Sequence, residues 1–161
     1  MGIYLNPGNK LFKTIRNGEY VDKTGMISLL NSKIGTTQSL TCISRPRRFG
    51  KSFTAQMLCA YYDRSCDSRE LFRDLAIASE PSFAEHLNRY DVIYLDMTNL
   101  LGKTDAQGLV PFIQETVTEE LTQTYPMVKA EKSFDQTLLH AVEETGIQFF
   151  VIIDEWDAPI R

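Results

Sequence analysis

The sequence predicts an α/β fold, and three observations carry that prediction. Two runs, Asp91–Met97 (DVIYLDM) and Ile147–Glu155 (IQFFVIIDE), are apolar along most of their length, as strands covered on both faces of a parallel sheet are. A third run, Gln38–Ser44 (QSLTCIS), is short, apolar and partly β-branched between polar flanks, and reads as another buried strand. Between these runs the apolar residues change to helical spacing, and strands alternating with helices indicate a layered parallel sheet.

Each element follows in chain order. Residues 1–19 read as irregular, with turn chemistry in NPGN and RNGE. Met26, Ile27, Leu29 and Leu30 predict a short helix over Gly25–Lys33, with Asp22 or Thr24 as its N-cap, since a side-chain oxygen there satisfies free helix amides. After the Gln38–Ser44 strand, Phe53, Met57, Leu58 and Tyr61 share a face of a helix over Lys51–Asp63. Asp91–Met97 is the next strand. Val110, Ile113, Val117 and Leu121 predict a helix over Leu109–Thr124, and Phe134, Leu138, Leu139 and Val142 a further helix. Ile147–Glu155 is the last strand, running into two acids.

The chain has 161 residues and a hydrophobic fraction of 43%, enough for one domain with a core. Its formal net charge of −4 is not that of a nucleic-acid coat, so the arginines of RPRR are a local concentration. Cys42, Cys59 and Cys66 show no CxxC spacing, and His86 and His140 lie far from them in sequence, so neither a disulfide framework nor a zinc site is expected. No signal peptide or long apolar stretch is seen, and the expected setting is soluble and cytoplasmic, with no membrane partner.

The chemistry concentrates in SRPRRFGKS, Ser44–Ser52. A strand, a loop, then Gly-Lys-Ser opening a helix is the context a phosphate loop needs. A helix N-terminus offers free N–H groups and about half a positive charge. Gly50 lets the backbone approach phosphate, Lys51 reaches the β- and γ-phosphates, and the Ser52 hydroxyl ligates Mg²⁺. One departure stands out: the first glycine of G-x-x-x-x-G-K-[ST] is replaced by Arg45. Taken alone, the segment also fits a basic surface turn before an ordinary helix. The second half of the pattern is FFVIIDEWD, where a buried strand delivers Asp154 to the Mg²⁺ shell and Glu155 orients or deprotonates the attacking water. Strand, Gly-Lys-Ser and helix followed by this acidic strand end point together to a nucleotide.

YVDKT at Tyr20–Thr24, RPRRFGKS at Arg45–Ser52 and IDEWD at Ile153–Asp157 together resemble the AAA-ATPase-like family of bacterial proteins, over nearly the whole chain. The resemblance implies ATP and Mg²⁺ as ligands. It implies a nucleotide-binding loop of Arg45, Pro46, Arg47, Arg48, Phe49, Gly50, Lys51, Ser52 and Phe53, with Ser52 and Asp154 at the metal and Lys51 and Glu155 as catalytic groups. Trp156 stands where the family has Tyr. Pro46 stiffens the loop that lacks the first glycine, and an arginine fork there contacts phosphate or pairs with Asp154 or Asp157. Asp22 has two readings, a cap or turn residue, or a residue beside the nucleotide.

The implied fold is a three-layer P-loop NTPase of the ASCE type, a parallel sheet with flanking helices in the strand order five, one, four, three, two. The 161 residues correspond to the N-terminal portion of such a domain, with strands four and five missing, so the expected sheet is incomplete. Either a longer chain or self-association would complete it. The expected function is Mg²⁺-dependent ATP binding with ATPase ancestry and doubtful turnover. The alternatives are a non-enzymatic nucleotide-gated switch and nucleic-acid binding through RPRR.

Overall fold

The computed structural model describes residues 2–44 and 50–160 of the chain. They form two compact units, one of Gly8–Arg89 and one of the residues up to Pro7 together with those from Tyr90 on.

The second of these contains the strands. β1 (Asp91–Asp96) pairs in parallel with β2 (Phe149–Asp154), in a register that sets Asp91 opposite Phe149 and Asp96 opposite Asp154. A parallel pair needs a long crossover, and here it is made by α6 (Met97–Leu101), α7 (Leu109–Thr124) and α8 (Phe134–Thr145). Leu95, Val117, Leu121, Val128 and Ala141 interlock as the core of this unit. The N-terminal segment lies antiparallel to β1: Tyr94 N–H donates to the Tyr4 carbonyl (2.8 Å) and Asn6 N–H to that of Val92 (2.7 Å). One carboxylate anchors the segment, because Glu120 on α7 accepts the N–H groups of Ile3, Tyr4 and Leu5 at 2.9, 3.0 and 2.7 Å. A buried knot completes it, with Asp91 accepting from Asn6 Nδ2 (2.8 Å) and from the Tyr125 hydroxyl (2.9 Å).

The unit Gly8–Arg89 is helical among its described residues. It holds α1 (Lys10–Arg16), α2 (Gly25–Asn31), α3 (Lys51–Tyr62), α4 (Arg69–Phe72), a 3₁₀ turn at Ala76–Ser79 and α5 (Phe83–His86). Aromatic rings build its core. Phe12 stacks on Phe72 at 5.1 Å between centroids, and Tyr61 meets Phe72 and Tyr62 edge-on at 5.5 and 4.8 Å. Asn31 satisfies the buried hydroxyls, donating to Tyr61 and accepting from Tyr62.

The strands at 91–97 and 147–155 and the helices at 25–33, 51–63 and 109–124 form as the sequence predicts, to within two residues at either end. The helix built on Phe134, Leu138, Leu139 and Val142 forms as α8.

Other expectations are corrected. Gln38–Ser44 is not a buried strand: 39–44 is irregular backbone, and Leu40 is 96% exposed. A strand exists only where a neighbour takes up its N–H and C=O groups, and among the described residues nothing pairs with this segment. Residues 10–16, expected irregular, form α1, stabilised by burial of Phe12 rather than by any cap side chain. Phe53, Val110 and Leu139, which the periodicity sets on apolar helix faces, are exposed. The described sheet has two parallel strands, so the architecture is mixed helix and strand, compatible with an incomplete α/β domain.

Candidate functional site

Of the residues expected to bind a nucleotide, Gly50, Lys51, Ser52 and Phe53 lie at the start of α3. Gly50 is its N-cap, with φ +74° and ψ 32°, a left-handed conformation that glycine takes without strain. Lys51 and Ser52 open the first turn, Lys51 half-buried and Ser52 exposed, and no acidic residue lies in that turn. The Thr54 hydroxyl donates to the Gly50 carbonyl at 3.1 Å, tying the cap to the helix. Arg45, Pro46, Arg47, Arg48 and Phe49 lie outside the described residues.

The segment Tyr20–Thr24 reaches the same place. A Cβ built on Gly50 would stand 2.9 Å from Lys23 Nζ, so the ammonium group lies beside the helix start. Tyr20, Val21, Lys23, Gly50, Phe53 and Met57 line a groove of about 280 Å³. Tyr20 is held in its wall by a hydroxyl bond to Met57 Sδ (3.3 Å) and by an edge-on contact with Phe12. Burial pushes its phenol above the ordinary value. Lys23 and Tyr20 carry no motif-level signal beyond their place in YVDKT, and only their position in the fold singles them out.

Asp22 has a structural role. Its Oδ1 accepts from Thr24 N–H and the Thr24 hydroxyl (2.8 and 2.7 Å), and its Oδ2 from Ala76 N–H (2.8 Å). Thr24, fully buried, is the N-cap residue of α2, yet its hydroxyl oxygen accepts from Ile77 N–H instead of capping that helix. The two side chains therefore fasten the start of α2 to the Ala76–Ser79 turn. Burial pushes the Asp22 carboxyl up, but the hydrogen bonds from Thr24 and Ala76 outweigh it and hold the group below its ordinary value.

The acidic pair ends β2 in the other unit. Asp154 is buried, with its Oδ1 accepting from Glu155 N–H (3.0 Å) and its Oδ2 from the Tyr94 hydroxyl (3.4 Å). Glu155 leaves the strand at φ +51°, one of three non-glycine residues with positive φ among those described. At the end of β1, opposite Asp154, Asp96 caps α6 by accepting from Asn99 N–H at 3.1 Å. Carboxylates therefore collect at the C-terminal end of the parallel pair, the end at which open α/β sheets bind ligands.

Among the described residues no three His, Cys, Asp or Glu side chains are grouped to hold a metal ion. Mg²⁺ in nucleotide sites needs no such cage, being held by one or two protein oxygens with phosphates and water, and a buried carboxylate and a serine hydroxyl are donors of that kind. The thiols differ in setting: Cys42 is exposed, Cys59 buried, and Cys66 half-buried with burial pushing it up to about 11. No helix among the described residues is long and apolar enough to cross a membrane.

The family model described as predicted AAA-ATPase matches residues 7–161. An uncharacterized protein of the vnfD 5′ region of Azotobacter chroococcum mcd 1 is 30% identical over 159 residues, covering 95% of this chain and 29% of that protein. The chain thus spans under a third of that relative's length. No solved structure matches it significantly.

Proposed function

Because the chain belongs to the predicted AAA-ATPase family, with the nucleotide-binding ATPase ancestry this suggests, we propose that it is an Mg²⁺-dependent ATP-binding module. In this proposal residues 1–161 are the N-terminal portion of a P-loop domain. The observation that carries the reading is Gly50, a left-handed N-cap placing Lys51 and Ser52 on the first turn of a twelve-residue helix.

The helix start offers N–H groups to the phosphates, and Lys51 neutralises charge on the β- and γ-oxygens. Ser52 and Asp154 are the residues that would hold Mg²⁺, which when bound screens the phosphate charge. Burial of Asp154 under the Tyr94 and Glu155 hydrogen bonds keeps its carboxylate in one orientation. Glu155 is assigned the attacking water. Its left-handed backbone costs of order 1–3 kcal/mol, strain of the kind that gathers at functional sites. Arg45, Arg47 and Arg48 are assigned to the loop over the phosphates. Binding rather than rapid turnover is the proposed activity of these residues by themselves.

Thermal denaturation with and without Mg-ATP tests this. Ligand at about 100 times Kd adds roughly 2.7 kcal/mol, or about 5–11 °C in Tm for a domain of this size. Lys51→Ala is expected to remove the shift. No shift in the wild type, or an equal one in Lys51→Ala, refutes the proposal. Glu155→Gln then separates an ATPase, which keeps binding but loses turnover, from a switch, in which nothing measurable changes.

A further inference from the structure

We infer that Tyr94 is a positioning residue for the proposed metal site: its hydroxyl fixes the orientation of the Asp154 carboxylate that would hold Mg²⁺. This inference rests on the nucleotide reading above and adds a residue that none of the motifs contains.

The placement follows from strand geometry. Parallel pairing sets Tyr94 opposite Ile152 and Asp96 opposite Asp154. Side chains alternate between faces, so Tyr94, Asp96, Ile152 and Asp154 share one face of the pair. Asp154 lies two residues beyond the one opposite Tyr94, roughly 7 Å further along the strand and within reach of a tyrosine side chain. The Tyr94 hydroxyl makes that reach and donates to Asp154 Oδ2 at 3.4 Å.

The two acids at this strand end are held in different ways. Asp96 takes hydrogen bonds on both oxygens from one residue, Asn99, whose N–H and Nδ2 stand 3.1 and 2.6 Å away, and it is thereby committed to starting α6. Asp154 is buried, and its oxygens are oriented separately, Oδ1 by Glu155 N–H at 3.0 Å and Oδ2 by Tyr94. Two donors on two oxygens fix the plane of the carboxylate. An amide and a hydroxyl carry no charge, so neither cancels the negative charge that attracts a cation. Each ionised oxygen has two lone pairs, and one on each remains for a metal or its water. At 3.4 Å the hydroxyl contact is longer than a full-strength hydroxyl bond, so it steers the oxygen while leaving its electron density with the carboxylate. Outer-shell partners act on metal ligands in this way. The ring itself fills a strand position that phenylalanine would fill equally, and the hydroxyl is the group to remove.

Equilibrium binding of ATP to the chain, in EDTA and across a series of free Mg²⁺ concentrations, tests the assignment. Tyr94→Phe is expected to raise the Mg²⁺ concentration at half-saturation about tenfold, the lower end of what loss of an outer-shell partner costs, and to leave ATP binding in EDTA within about twofold. Asp154→Asn is expected to raise it further. Adding Tyr94→Phe to Asp154→Asn is expected to change nothing more, because the hydroxyl acts through that carboxylate. A merely structural role would weaken binding equally in EDTA and in Mg²⁺, and its effect would add to that of Asp154→Asn. Either result overturns the assignment, as does an unchanged Mg²⁺ dependence in Tyr94→Phe, and in each case the nucleotide reading stands. Should Tyr94→Phe fail to fold, Tyr94→Met, which also lacks the hydroxyl, is read in the same way. If the wild type binds ATP equally with and without Mg²⁺, the metal site is wrong and the role of Tyr94 falls with it. If the wild type binds no ATP, the nucleotide reading is wrong and this inference falls too.

Discussion

Gly50 takes a left-handed backbone angle beside the Lys23 ammonium. At φ +74° an L side chain is strained, and its Cβ would displace the Lys23 ammonium. Gly50→Ala is therefore expected to cost about 1–2 kcal/mol in urea denaturation; an unchanged midpoint would show that the helix start is remodelled without strain. Asp22 acts by charge-assisted hydrogen bonding. Its folded value lies below the ordinary 3.8, since the bonds from Thr24 and Ala76 overcome the burial that pushes it up. The stability it contributes is present above the unfolded value and is lost as pH falls through the lower folded one. Asp22→Ala is expected to destabilise the chain at pH 7 by about 1 kcal/mol, and by progressively less below pH 4. A difference that stays constant into strong acid would exclude this role. Lys23 and Tyr20 show the limit of reading residues from sequence. Within YVDKT they are one lysine and one tyrosine among many, and only the fold brings them to α3.

Among the elements, α7 shows how a helix predicted from periodicity takes on a task that periodicity does not reveal. Val117 and Leu121 were legible as its buried face, and both are fully buried. Glu120, on the neighbouring stripe, reads as an ordinary solvated acid, yet it collects three backbone amides of the N-terminal segment. Glu120→Ala is expected to cost about 2 kcal/mol and to accelerate hydrogen exchange at Ile3, Tyr4 and Leu5 by at least tenfold; unchanged exchange at those three amides would contradict the clamp. The element that did not form teaches the converse. QSLTCIS has strand composition, but β-propensity expresses packing on a half-buried surface, and nothing described covers residues 39–44. α1 formed against its turn-like neighbours because Phe12 found Tyr20 nearby and Phe72 far along the chain.

For the molecule as a whole, a net charge of −4 sets the nucleotide reading against nucleic-acid binding through RPRR. Neutralisation of backbone phosphates by Arg45, Arg47 and Arg48 would give affinity for single-stranded DNA a log–log salt slope of about −2, near −0.7 per phosphate. The nucleotide reading expects no measurable DNA binding at about 150 mM salt, and ATP rather than DNA to compete for the site; salt-steep DNA binding abolished by replacing the three arginines would reverse that order. By itself the sequence determined the class of element at 91–97, 109–124 and 147–155, because burial on one or two faces leaves a periodic record along the chain. It also placed Gly-Lys-Ser at a helix start and Asp-Glu at a strand end, the residue types that the proposed phosphate and metal chemistry needs. Only the tertiary structure decided that Asp22 is a fastener, that Lys23 stands over Gly50, that Phe53 faces a groove instead of a core, and that 39–44 stays irregular. Each of these depends on which distant residues become neighbours, and that is a property of contacts, of which local periodicity carries no trace.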